Sequence, residues 1–148
     1  MKQFFICLAL VLLAVGCDNN NGGGNPNDPS QVNIEFTTTE LVAGTGAQAA
    51  AGNSVTVHYT GWLYNPAGTE SKGNQFDTSL DGDPPLPVVL GVSNIIPGFQ
   101  QGIVGMRPGG KRRVYMPSSL AYGAQGRLPD IPSNAALVFE IELITLVQ

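Results

Sequence analysis

Few side chains in this 148-residue chain can do covalent chemistry. There is one histidine, His58, and there are two cysteines, Cys7 and Cys17. So few cannot assemble a His/Cys zinc set or a disulfide framework. Any histidine-based triad would have to use His58. That residue alternates with Tyr59 in a period-two stretch and points away from it, as a solvated or rim histidine does. With 7 Lys+Arg against 11 Asp+Glu, the formal charge of −4 argues against a nucleic-acid partner. Two polar side chains stand out. Asp77 directly follows Phe76, and a carboxylate there is costly to bury without a partner; taken alone it reads equally well as a surface turn residue or a cap. Tyr122 lies between Ala121 and Gly123 in a loop, where a phenol either meets a ligand or staples the loop to the sheet. The composition thus rules out much chemistry before any motif is read.

These residues need elements to position them. Nineteen Gly and eleven Pro favour turns and short strands over long helices. Val55, Val57 and Tyr59 alternate with Thr56, His58 and Thr60. Val114 and Met116 alternate with Arg113 and Tyr115. Leu137, Phe139, Ile141 and Leu143 share a face opposed by Glu140 and Glu142. Period two of this kind predicts an antiparallel sheet with one wet side. Leu86 to Leu90 is a shorter strand, and Pro87 suits an edge or bulge. One helix is expected. Pro97 fits its first position, Phe99, Ile103 and Met106 fall near one face, and Gly109-Gly110 ends the segment. The economical fold is α+β, a twisted antiparallel sheet wrapped around one short helix. Ser118 to Ser133 has no period, and long structureless loops are usually functional. Tyr64 to Asn74 is a polar, Gly-rich loop.

The first residues read as an address. Phe4 to Val15 is an unbroken apolar run after Lys2. As a helix it would be about 18 Å long, short of the roughly 30 Å hydrocarbon core. It has the form of a secretory signal; a buried core helix fits less well, because the run has no polar face. Ala14-Val15-Gly16-Cys17 resembles a bacterial lipobox, in which cleavage leaves a lipidated cysteine. The expected organisation is a signal peptide over 1–16, lipidated Cys17 with an Asn/Gly/Pro tether over 17–31, and one domain over 32–148. An ordinary cleaved signal with a stray thiol is the alternative. Several acyl chains anchor firmly, and a tether of this length reaches about 20 Å. The domain is then expected in the cell envelope, held on a bacterial membrane outside the cytoplasm, in the periplasm. Whether the membrane is inner or outer stays open.

An ordered set of segments carries a resemblance: Val57-His58-Tyr59-Thr60-Gly61, Phe76-Asp77-Thr78-Ser79, Leu90-Gly91, Ile95-Ile96-Pro97-Gly98-Phe99, Gly105-Met106, Ala121-Tyr122-Gly123, Ile131-Pro132 and the strand from Leu137 to Leu143. In this order they resemble the FKBP-type peptidyl-prolyl cis-trans isomerase domain, over about Val32 to Gln148. The resemblance implies a half-barrel around one helix, with an apolar pocket between them. Carried over position by position, the pocket comprises Tyr59, Phe76, Asp77, Val88, Ile95, Ile96, Phe99, Tyr122 and Phe139, with Leu86 and Ile131 at its rim. Phe99 forms the floor, where the family often has Trp. Taken alone, Tyr59, Phe99 and Phe139 read equally as core. The resemblance also implies proline-containing polypeptides as partners, a pocket open to macrolide inhibitors, a monomer, and no cofactor. Three departures stand out. The 64–74 hairpin is enlarged. Gly82 lies where small members often place an Arg to pair with the Asp77 equivalent. Arg127 and Asp130 add charge to the Tyr122 loop, which bears on substrate preference.

The implied reaction is rotation about an Xaa-Pro bond, which breaks nothing and needs no nucleophile. Two other classes share the sequence features. A non-catalytic chaperone module would hold proline segments in the same pocket without accelerating exchange. A lipid-anchored structural or adhesion protein would leave the ordered aromatic set without a purpose.

Overall fold

The computed structural model describes Asp28 and residues 30–148. The expected signal over 1–16, Cys17 and most of the expected tether lie outside the described residues.

Six antiparallel strands form one sheet. They are β1 (Thr37–Val42), β2 (Ser54–Tyr64), β3 (Lys72–Thr78), β4 (Leu86–Val89), β5 (Lys111–Met116) and β6 (Leu137–Val147). The order across the sheet is β1-β5-β6-β2-β3, and β4 also pairs with β2. Strand β2 reaches from one edge element to the other: Ser54–Val57 pair with β4, and Thr60–Tyr64 pair with β3. Among the described residues β4 pairs with β2 alone, so Pro87 lies on an edge strand, where a missing N–H is tolerated.

The alternation read in the sequence becomes two faces. Val57, Ile141, Leu143, Val114, Met116 and Leu137 are buried on the inner one. The single α-helix among the described residues, α1 (Pro97–Ile103), packs there through Phe99 and Ile103. Gly98 and Gly102 let it approach closely. A Cβ on Gly102 would lie 2.6 Å from Val114 Cγ2, and one on Gly98 would lie 2.8 Å from Met116 Sδ. Arg112 closes the C-terminal end of the helix, donating from Nη1 to the carbonyls of Gly102 and Val104 at 3.0 and 2.9 Å. A cation at that end also complements the helix dipole.

The helix is shorter than its apolar spacing suggests. It ends at Ile103, and Gly105 turns the chain away at φ 83°, a left-handed conformation suited to glycine. The backbone of Gly105 and Met106 then bonds to Ala49. Met106 is buried in the core from this turn, and Gly109-Gly110 lies beyond the helix.

The outer face is less wet than alternation implies. Arg113, Val138 and Thr60 are buried on it. The enlarged hairpin explains this. A 3-10 turn at Thr69–Ser71 brings Glu70 to Arg113, with 2.6 Å between Oε1 and Nη2. Lys72 donates to Glu140 at 2.6 Å and stacks 4.4 Å from the centre of Trp62. The Tyr115 hydroxyl donates to the Glu70 carbonyl at 3.2 Å. The hairpin end is therefore stitched to the outer face of β5 and β6.

Asp28 and Ser30, ahead of the first strand, are held by hydrogen bonds. Ser30 is 1% exposed. Its carbonyl accepts from the Ala136 N–H at 2.8 Å. Asp28 Oδ1 accepts from both the N–H and the hydroxyl of Ser30, at 2.9 and 2.7 Å. These residues were expected in the tether; their polar groups find partners on one another and on the domain.

Candidate active site

A cavity of about 360 Å³ opens between the inner face of the sheet and the start of α1. Four aromatic rings form it. Phe139 is the hub, with ring centres 5.3 Å from Phe99, 5.5 Å from Phe76 and 6.2 Å from Tyr59. Tyr59 meets Phe99 at 5.5 Å. Three of these pairs are edge-to-face at 82–86°, the arrangement the ring quadrupole favours. Leu86, Ile95, Ile96 and Tyr122 complete the apolar and aromatic lining among the described residues.

Gly61 makes the ring cluster possible. It lies opposite Phe139 on β6 and Asp77 on β3. A Cβ at Gly61 would lie 2.6 Å from Phe76 Cζ and 2.8 Å from Phe139 Cε1, so only a missing side chain leaves room for both rings.

A second local device aims Phe76 and Asp77. Consecutive residues of a regular strand face opposite sides. Here Gly61 pairs with Asp77 and the next residue, Trp62, pairs with Gln75, which leaves Phe76 as an extra residue in β3. Such a bulge re-aims side chains, and both Phe76 and Asp77 line the cavity.

Asp77 has a partner. The Tyr59 hydroxyl donates to its Oδ2 at 3.0 Å. Burial, then this bond and the charge of Asp77, push the Tyr59 phenol up to about 12. Tyr59 therefore stays protonated, and remains a donor, throughout the neutral range. Arg127 also approaches this carboxylate, with Nη1 4.0 Å from Asp77 Oδ2.

The loop before α1 is clamped from within the helix. Gln100 accepts from the Gly91 N–H at 2.8 Å and donates to the Ser93 carbonyl at 2.9 Å. The Ser93 hydroxyl accepts from the Val89 N–H at 2.8 Å. This holds Ile95 and Ile96 at the cavity. On the opposite wall, a 3-10 turn at Ser118–Leu120 leads into Tyr122, and the Gly123 N–H closes on the Ser118 carbonyl at 2.8 Å.

Of the residues expected at the site, Tyr59, Phe76, Asp77, Leu86, Ile95, Ile96, Phe99, Tyr122 and Phe139 surround one cavity. Val88 and Ile131 do not line it. Each is 1% exposed and belongs to the core. Leu86 and Val88 share a face of β4, but only Leu86, at the strand's first position, reaches the hollow. Ile131 points inward under the loop that carries Arg127. Asn94 and Arg127 line the cavity without having been assigned to it. The signal for Asn94 was position alone, beside Ile95, whereas Arg127 was marked by the charge it adds to the Tyr122 loop.

His58 lies on the outer face, with Nδ1 3.0 Å from the buried Ser79 hydroxyl. A second hollow there, about 270 Å³, runs past His58, Trp62, Lys111, Glu140 and Glu142. One ion pair, Lys111 with Glu140 at 3.4 Å, joins two of its lining residues. Burial pushes the Glu140 carboxyl up, but hydrogen bonds from Lys72 and Arg113 outweigh it and draw the group down to about 2. That hollow lacks the Phe76, Phe99 and Phe139 rings of the first. No group of three or more His, Cys, Asp or Glu side chains among the described residues is arranged to hold a metal ion.

A strongly bent antiparallel sheet closed by one helix, with a ring-lined hollow between them, defines a binding site for a compact apolar group presented by an extended chain. Comparison narrows this. The model of the FKBP-type peptidyl-prolyl cis-trans isomerase family matches residues 45–144. An FK506-binding protein of Neisseria meningitidis serogroup A is 44% identical over 109 residues, covering 74% of this chain and 94% of that protein. FK506-binding protein 2 of Dictyostelium discoideum is 38% identical over 144 residues, covering 97% and 98%. A solved peptidyl-prolyl cis-trans isomerase from Pseudomonas syringae pv. tomato superposes with a TM-score of 0.63 at 37% identity, covering 76% of each chain. The chain belongs to the FKBP-type peptidyl-prolyl cis-trans isomerase family. It is an isomerase of Xaa-Pro bonds, acting on proline-containing polypeptides.

Proposed function

We propose that the ring-lined cavity is where the Xaa-Pro bond turns, with the proline ring seated on Phe99. The observation that carries this is the four-ring cluster around Phe139, which lines one hollow. The planar amide resists rotation by about 18–20 kcal/mol because of resonance. At the top of the barrier conjugation is lost and the group is less dipolar. An apolar wall favours that state relative to water, which is differential binding of the transition state. Tyr59, Phe76, Phe99 and Phe139 grip the ring. The Ile96 N–H and the Tyr122 hydroxyl hold substrate carbonyls in place. Asp77 orders Tyr59 and does not act as a base. The test is exchange of a short Xaa-Pro peptide. Phe99→Ala lowers kcat/KM at least about tenfold through lost ring contact, and Asp77→Ala lowers it less. Unchanged rates would remove both residues from the site.

The relatives' names carry FK506 binding, and the same cavity is proposed to take a macrolide, which would inhibit in competition with the peptide. The apolar run and lipobox-like residues 14–17 support an envelope location, with Cys17 acylated, a monomeric domain on a membrane, and action on exported proteins. Cys17→Ser should then move the protein from the membrane to the soluble fraction; unchanged fractionation would defeat the anchor.

A further inference from the structure

Arg127 stands apart from the other described cations. Lys72, Lys111, Arg112 and Arg113 lie 2.6–3.4 Å from carboxylates, and Arg107 donates to the Gly46 carbonyl. Arg127 makes no side-chain hydrogen bond among the described residues. Its one ion pair, with Asp77, spans 4.0 Å, too long for a hydrogen bond. Asp77 Oδ2 is already taken by the Tyr59 hydroxyl at 3.0 Å. The guanidinium therefore keeps its five donors at the mouth of the cavity, with the side chain 60% exposed.

Its backbone is held although its head is free. Arg127 and Ile131 exchange N–H···O bonds at 2.8 and 2.9 Å, and Ile131 is anchored in the core. The Gly126 N–H donates to the Tyr122 carbonyl at 3.1 Å, tying Arg127 to the same loop as Tyr122. A tethered, unspent guanidinium beside a peptide site is suited to bidentate recognition of a carboxylate.

We propose that Arg127 selects substrates carrying an Asp or Glu side chain on a residue flanking the proline. This rests on the proline seat proposed above. The guanidinium is one ion-pair distance beyond Asp77, which itself bonds to Tyr59 over the seat. Arg127 and Phe99 line the same cavity, and neighbouring residues of a chain are about 3.8 Å apart, so a residue flanking the seated proline is the part of the substrate that meets Arg127. The ring cavity then sets the bond that turns, and Arg127 sets which chains enter it.

The experiment uses the full-length protein and amidated peptides, so that side chains are the only substrate carboxylates. Glu, Gln and Lys are compared at the positions before and after proline. At low ionic strength the wild type should turn over a Glu peptide with a kcat/KM about two- to fivefold above its Gln counterpart, the range of an exposed ion pair. The ratio should shrink in high salt. It should fall to about one in Arg127→Gln, persist in reduced form in Arg127→Lys, and invert toward the Lys peptide in Arg127→Glu. Because the readout is a ratio within each variant, a general loss of activity does not imitate the effect. A wild-type ratio of one, or a Glu preference that survives Arg127→Gln, overturns the inference and leaves the seat standing. Acceleration of none of the peptides overturns both.

Discussion

At the scale of single residues, the outer face of the sheet carries an acid-sensitive clasp. Glu140 Oε1 accepts from Lys72 at 2.6 Å and from Arg113 Nη2 and Nε at 2.8 and 3.1 Å. Its carboxyl is drawn down from 4.5 to about 2, because those bonds outweigh the opposing effect of burial. A carboxyl whose folded value is depressed adds stability that is fully present above the unfolded value and is lost as pH falls through the folded one. The window here is about pH 4.5 down to about 2. Urea midpoints should hold steady from pH 7 to 5 on this account and then fall. Glu140→Gln should lose about 2 kcal/mol at neutral pH, the scale of hydrogen bonds to a charged group, and should show a shallower acid decline. Equal acid slopes in the two proteins would mean that other carboxylates govern the transition.

Among the elements, the contact of helix with sheet depends on what α1 lacks. Helix propensity alone would favour Gly102→Ala by about 1 kcal/mol. The added Cβ, however, would lie 2.6 Å from Val114 Cγ2 on a strand paired on both sides. Overpacking a tight core costs about 1–3 kcal/mol, so the net effect should be destabilising. Measured by denaturant titration, a stabilised variant would show that β5 yields. The helix itself was legible through Pro97, Phe99 and Ile103, and β2, β4, β5 and β6 through their alternation. Its end was misplaced, because Met106 continues the apolar spacing while Gly105 has already turned the chain. Strand β1 left no period to read: all six of its residues are exposed. Strand β3 was hidden for a different reason. Its bulge sets Phe76 and Asp77 on the same cavity, which breaks the alternation that reveals a strand. Most of the candidate site was reached through the order of the family's segments. Val88 and Ile131 were misassigned because neighbours of a pocket residue share its composition whether they face the hollow or the core behind it.

The whole molecule has a boundary that composition does not mark. Asp28, Ser30 and Gln31 belong to a polar stretch that could not bury enough apolar surface to fold alone. They are nonetheless ordered, because the domain presents a backbone N–H that needs a partner. Ala136 is fully buried just ahead of β6, and its N–H donates to the Ser30 carbonyl at 2.8 Å. A fragment starting at Val32 leaves that donor without its acceptor, whereas one starting at Gly24 retains it together with the Asp28 bonds to Ser30. An unsatisfied buried donor costs about 1–3 kcal/mol, offset in part by the entropy of ordering a few residues. The longer fragment should therefore be more stable by about 1 kcal/mol. The gap should show as a higher urea midpoint with nearly the same slope, because little surface separates the two. Asp28→Ala in the longer fragment should lose part of that advantage, since it removes the acceptor for the Ser30 N–H and hydroxyl while leaving the Ser30 carbonyl in place. Identical midpoints for the two fragments would place the true start of the domain at the beginning of its first apolar residue, and the Ser30 bond would then contribute nothing to folding.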